Sequence, residues 1–593
     1  MMDLRAIYGT DIPPVQGRRL VAGDAAVTLE RGQLRHLTVA GAEAIRAVSF
    51  LVRDRDWGTV TPRIDDLAIT EDGTNCHVTY RAIHDMGGGQ LVADIALTLR
   101  PDGLEATVTA RCTGQVWTNR AGFTVLHPIT GVAGAPVRVE HADGHVTDGR
   151  FPDLIAPWQP FKDITGLTHR AGDAMITCRL DGDVFEMEDQ RQWGDASFKT
   201  YNRPLSQPWP YRPDPVFAQG VRVTWQPATG LAPPAWRPAQ QPGAFPQTAL
   251  VLTASDAERA ARTPADLRAI GPSRILCHLD AAKGPIGPDL RRFAQLQRQF
   301  PDLAMDLELI ARCPVDGDLD GEFAAHAQAV RDAGLRAASV MVTPAVDRQS
   351  TPPGSDWPPC PPIPDIHAAA RRAFPGLPLG GGVTSFFPEL NRKPALAGDA
   401  DFVTHGLCPI VHAADDLSVV ETLEAVPHIL ASGRGIAGGR GYRLGPSTIA
   451  MRQNPYGSRT IPNPDHDRVC MTDDDPRQDG AFAAAWTLGL AAAIAGAGVT
   501  VWTPAALYGP RGLIRDDGTV RPLAALVTAL AACAGLRVTD AGIRDGRATL
   551  TLDQHHFIAN LRAVADDVTG LDAFAWRRGA AWDLHSPAAT PRS

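Results

Sequence analysis

In the run LAMDLELI (303–310), Leu303, Met305, Leu307 and Leu309 fall on one face of a strand, leaving Asp306 and Glu308 together on the other. Carboxylates turned into a core are costly unless paired or used, so this pair suits acid–base work. RILCHLD (274–280) has the same parity: Ile275, Cys277 and Leu279 form the apolar face, and His278 and Asp280 share the other. SFFPELNR puts Glu389 and Asn391 in a loop, with Glu389 a candidate base. His405 closes DFVTH as a candidate proton carrier, and YRLGPSTIAMRQNPYG supplies Arg452, Asn454 and Tyr456 on a polar loop. Arginine and asparagine there suit recognition of hydroxyl and carboxylate groups.

A second concentration of chemistry lies in FEMEDQRQWGDASFKTYNRPL (185–205). If its first half is a strand, Glu186, Glu188 and Gln190 share a face, and Asp189, Arg191, Trp193, Asp195 and Lys199 follow closely. Such a mixture of signs with an aromatic marks either a binding site or an ion-paired surface. Lysine occurs only at 162, 199, 283 and 393, every other basic side chain being arginine. Where coding bias favours arginine, a retained lysine points to a need for a compact ammonium.

The elements that must hold these residues change character along the chain. Residues 1–240 carry short alternating runs such as CHVTYRAI, LVADIALTLR and VRVTWQP between Gly, Asp and Pro turns, the pattern of an antiparallel β-sandwich. A proline-rich linker, LAPPAWRPAQQPGAFPQ, follows. Over 246–534 eight strand-like runs alternate with helix-like segments, which predicts a (β/α)8 TIM barrel. The connection LNRKPALAGDA after the fifth strand has no clear helix and is the weakest unit. An open doubly wound sheet is the alternative, but no glycine fingerprint follows its first strand. Residues 535–593 return to strand signals and read as a small C-terminal β domain.

With 593 residues, 44% hydrophobic and 21% charged, the chain is globular and multidomain. The net charge of -9 is spread without a basic stripe, so no nucleic-acid partner is expected. The N-terminal stretch has no apolar signal region, and AAAWTLGLAAAIAGAGVTVW reads as a buried helix and strand rather than a membrane span. Nine scattered cysteines without a CxxC pair fit core residues of a reduced cytoplasm. Neither GxSxG, HExxH nor a Walker A sequence is present, so hydrolysis or isomerisation of a small polar molecule is the default expectation. No cofactor is predicted. A divalent ion held by Asp280, Asp306 and Glu308 stays open, and the sequence sets no oligomeric state.

FPDLIAPWQPFKDI (151–164), FEMEDQRQWGDASFKTYNRPL (185–205), FFPELNR (386–392) and GPSTIAMRQNPYG (445–457) together resemble the bacterial D-apionate lactonases. The resemblance implies a β N-domain, a TIM barrel and a small C-terminal domain, and hydrolysis of a sugar lactone, D-apionolactone, in apiose breakdown. For that reaction Glu308 or Glu389 is expected as the base, and His405 or His278 as proton shuttle. Lys199 or Arg452 would steady the oxyanion and Trp193 would stack on the ring. Glu188, Arg191, Asp195, Asp280, Asn391 and Asn454 would complete substrate binding. A glycoside hydrolase-like barrel using two carboxylates, or a carbohydrate-binding protein without catalysis, would fit the same residues.

Overall fold

The computed structural model describes residues 3–55, 57–230, 236, 243–348, 350–351, 355–455 and 460–579; most of the linker and Tyr456 lie outside them. Two compact units result. One comprises residues 14–191 and 196–237, the other residues 1–13, 192–195 and 238–593.

In the first unit, sixteen antiparallel strands join one continuous hydrogen-bonded network rather than two separately bonded sheets. Strand Cys76–Asp85 shows why the chain forms it. Cys76, Val78, Tyr80, Ala82 and His84 are buried while the residues between them are more exposed, the period-two pattern of a sheet with one covered face.

The second unit contains the barrel. Its strands are β1 (Gln247–Leu252), β2 (Arg274–Asp280), β3 (Ala304–Ala311), β4 (Ala337–Pro344), β5 (Leu379–Phe386), β6 (Phe402–Leu407), β7 (Gly441–Ser447) and β8 (Val501–Tyr508). Each pairs in parallel with the next, and β1 pairs with β8 to close the ring. Helices cover the outside, with starts written in the sequence. Thr253 and Asp256 form a reciprocal capping box, and Asp318 and Asp415 accept from backbone amides at the starts of Leu319–Ala333 and Asp416–Ala437. Helix Ala481–Ile494 is apolar on every side and buried, packing against the C-terminal four-stranded sheet (Val538–Gly579). No helix among the described residues is long and apolar enough to cross a membrane.

The barrel interior is polar at its floor. Arg274 grips Asp306 with two hydrogen bonds of 2.6 Å, Ser339 donates to the same carboxylate at 2.5 Å, and Arg443 Nη1 stands 3.3 Å away. Burial would raise the Asp306 carboxyl, but these cations and hydrogen bonds outweigh it and hold it low. Above this layer a cavity of about 20 Å³, room for roughly one water, is bordered by Glu308, Met341, Thr404 and Thr503.

Candidate active site

Residues at the C-terminal ends of barrel strands face the common mouth, and the register brings His278 of β2 beside Glu308 of β3. His278 Nδ1 lies 2.8 Å from Glu308 Oε2. From the loop after β7, Arg452 donates through Nη1 to Glu308 Oε1 at 2.9 Å and through Nη2 to Oε2. Arg452 Nη2 is also 2.8 Å from His278 Nδ1. A guanidinium is always protonated, so this approach is best understood as two N–H donors converging on one carboxylate oxygen. That assigns the proton to Nδ1 and leaves Nε2 with its lone pair. Among the described residues Nε2 has no hydrogen-bond partner, and the His278 side chain is 24% exposed. Burial alone would push the Glu308 carboxyl up, but the Arg452 charge, with hydrogen bonds from Arg452 and His278, holds it down at about 2. Glu308 is therefore an ionised anchor for an imidazole.

The neighbouring rim is also charged. Asp280 accepts from Arg348 Nη1 at 2.9 Å, with Lys283 at 3.6 Å. Lys393 bridges Asp347 Oδ1 at 2.8 Å and Glu389 Oε1 at 2.6 Å, and burial raises the Asp347 carboxyl despite that cation. Among the described residues no group of three or more His, Cys, Asp or Glu side chains is arranged to hold a metal ion. Asp280, Asp306 and Glu308 instead each face cationic side chains.

Several expected positions are corrected. Glu389 and Asn391 lie in a short helix, Phe387–Arg392, not a loop, and both are buried. Pro388 suits a first helical turn, and the polar residues after it turn inward, Glu389 towards Lys393. The supposedly helix-free connection after β5 thus holds this helix and a 3₁₀ turn, Pro394–Ala397. His405 is fully buried with both nitrogens occupied, Nδ1 by the Gly406 carbonyl at 2.8 Å and Nε2 by the Tyr442 hydroxyl at 2.7 Å. Burial lowers it to about 4, which removes it from proton transfer at the mouth. Trp193 is 4% exposed, edge-on to His412 at 5.7 Å and under the Arg392 guanidinium at 5.3 Å, so it packs side chains rather than a sugar ring. Asp195 pairs with His412 at 2.6 Å. Asn454 is buried after β7.

Within the antiparallel unit, Arg191 is fully buried. It grips Asp189 through Nε at 2.8 Å and Nη2 at 2.7 Å and donates to the carbonyls of Pro152 and Asp153. Its donors tie strand to loop, which rules out the substrate contact expected of it. Lys199 faces Glu188 across the strand pair at 3.1 Å, and burial lowers its ammonium to about 8 against the opposing pull of Glu188.

The D-apionate lactonase TIM barrel domain family matches residues 248–535, and the D-apionate lactonase N-terminal domain family matches residues 5–228. A D-apionate lactonase of Brucella anthropi is 42% identical over 548 residues, covering 89% of this chain and 90% of that protein. The chain belongs to the D-apionate lactonase family. Among solved structures, an endoxylanase from Clostridium papyrosolvens is 10% identical with a TM-score of 0.35, covering 55% of this chain and 84% of its own. A β-glucuronidase from Ruminococcus gnavus in complex with D-glucuronic acid is 10% identical with a TM-score of 0.31, covering 79% and 68%.

In this lactonase-family chain the strand parity located His278, Asp280, Asp306 and Glu308, because alternation is visible in sequence. His412 and Asp347 were not singled out, and Lys393 stood out only as one of four retained lysines. They sit in connections too short to show periodicity, Asp347 in a 3₁₀ turn and Lys393 at the end of a short helix, and they have partners remote in the chain, Asp195 for His412 and Asp347 for Lys393. The retained lysine at 393 was the one available signal.

Proposed function

We propose that this chain hydrolyses D-apionolactone to D-apionate by direct attack of water, with His278 as the general base. The observation that carries the mechanism is the Glu308–His278–Arg452 cluster at the barrel mouth. Glu308 fixes the imidazole tautomer, so Nε2 takes a proton from water as the oxygen attacks the lactone carbonyl. The Arg452 guanidinium beside it offers positive charge to the carbonyl oxygen as it becomes an oxyanion. Glu308 itself stays ionised throughout, which fits an orienting role better than that of the base. We assign the enzyme to the cytoplasm, a reading supported by nine cysteines that form no disulfide among the described residues.

Proton release on adding D-apionolactone to the purified protein, followed with a pH indicator, tests the reading. Acceleration over spontaneous opening, not shared by a related pentonolactone, is expected. Equal rates with and without enzyme would discard it. A chelator is expected to leave the rate unchanged, because Asp280, Asp306 and Glu308 are each met by cationic side chains. Loss of activity restored by Mg²⁺, Mn²⁺ or Ca²⁺ would overturn that part.

A further inference from the structure

With His278 activating water, one step of lactone opening is still unassisted. The ring oxygen leaves as an alkoxide and needs a proton. A second carboxylate–imidazole pair stands at the same rim. His412 follows β6 by five residues, and its Nδ1 lies 2.6 Å from Asp195 Oδ2. Asp195 belongs to Gln192–Asp195, the short segment that groups with the barrel. Gly194 sits in that segment at a φ of +93°, a conformation that residues with a side chain rarely adopt. Trp193 packs edge-on against the His412 ring and is itself covered by Arg392. The imidazole is thus held by a carboxylate on one side and an indole on another. The Asp195 and His412 side chains are each 14% exposed, pocketed but reachable. Strands two and six lie on opposite sides of an eight-stranded ring, so the residues that follow them border one common mouth.

We propose that His412, oriented by Asp195, is the general acid that protonates the departing ring oxygen, opposite the base His278. The proposal rests on the lactonase reading. In the first step His278 Nε2 takes a proton from water, the new carbon–oxygen bond forms, and the carbonyl π pair moves onto oxygen. When that pair returns, the bond to the ring oxygen breaks, and the ring oxygen takes the proton from His412. The product acid loses its proton, His278 gives one to solvent and His412 regains one, so one proton is released per turnover. Asp195 is a positioning residue that holds the imidazole in place through its 2.6 Å contact to Nδ1.

A general acid is needed only while the leaving group is a poor one, and a thiolate leaves far more readily than an alkoxide. The test compares the full-length wild type, His412→Gln, Asp195→Asn and His278→Ala on D-apionolactone and on its ring-sulfur thiolactone. His412→Gln is expected to lower kcat on the oxygen lactone by roughly 10²–10⁴-fold, and on the thiolactone by less than about tenfold. Asp195→Asn should follow the same selectivity with a smaller loss, and His278→Ala should lose both activities. The retained thiolactone rate doubles as the folding control. Equal losses on both substrates, or no loss on the oxygen lactone, would overturn the assignment while leaving the lactonase reading intact. A wild type that opens neither substrate would overturn both.

Discussion

At the scale of single residues, the site depends on which groups are already committed. Glu308 is ionised and clamped by a bidentate guanidinium, so its value lies in where it puts the His278 proton. Glu308→Gln should therefore reduce turnover by roughly 10²–10⁴-fold while the protein stays folded, since the amide cannot enforce the same tautomer. Near wild-type turnover in a folded Glu308→Gln protein would contradict this. Thr343 makes an opposite kind of prediction. Its hydroxyl is buried without a hydrogen-bond partner among the described residues. An orphaned buried hydroxyl costs about 1–3 kcal/mol, so the near-isosteric Thr343→Val should hold or raise Tm. A clear fall in Tm would mean that the hydroxyl is satisfied by a bound water. His278 and Glu308 were legible in the sequence because a strand alternates. His412 was not, because a loop carries no period and its partner Asp195 lies far away in the chain.

At the scale of elements, the barrel was readable because eight strand-like runs alternate with capped helical segments. The unit after β5 was the exception. LNRK reads as a polar loop, yet it ends a short helix whose polar side chains point into the protein, where Lys393 neutralises Glu389 and Asp347. Periodicity cannot reveal a buried charge network whose members come from different loops. The floor of the barrel shows what such networks do for stability. Asp306 is flanked by Arg274 and Arg443, so Asp306→Ala would leave two half-buried guanidinium groups without their carboxylate and should cost about 1–3 kcal/mol. Thermal unfolding would show this as a fall in Tm. An unchanged Tm would mean that the floor is solvated rather than ion-paired.

At the scale of the whole molecule, buried histidines make acid the weak side of the fold. Burial holds His84, His169, His367 and His405 down at about 4, and His127 well below its ordinary value. His127 and His169 even share a 3.2 Å contact, which admits at most one proton between them. The unfolded chain binds protons at these imidazoles near pH 6.5, while the folded chain does so only near pH 4 or lower. Their stabilising contribution is thus fully present above pH 6.5 and is lost as pH falls from there towards 4, by about 1–2 kcal/mol per histidine at pH 5. Melting curves should show Tm dropping steadily from pH 7.5 to pH 5, with both units affected, since these histidines occur in each. A flat Tm over that interval would contradict the buried, neutral assignment.

In the proposed mechanism His278 Nε2 activates the attacking water. The most direct measurement is the rate of D-apionolactone opening by His278→Ala, with and without added imidazole. The variant should lose roughly 10²–10⁴-fold in kcat while keeping its fold, and imidazole should restore part of the loss by filling the vacated space beside Glu308. A folded His278→Ala protein that opens the lactone at the wild-type rate would show that water is activated by some other group.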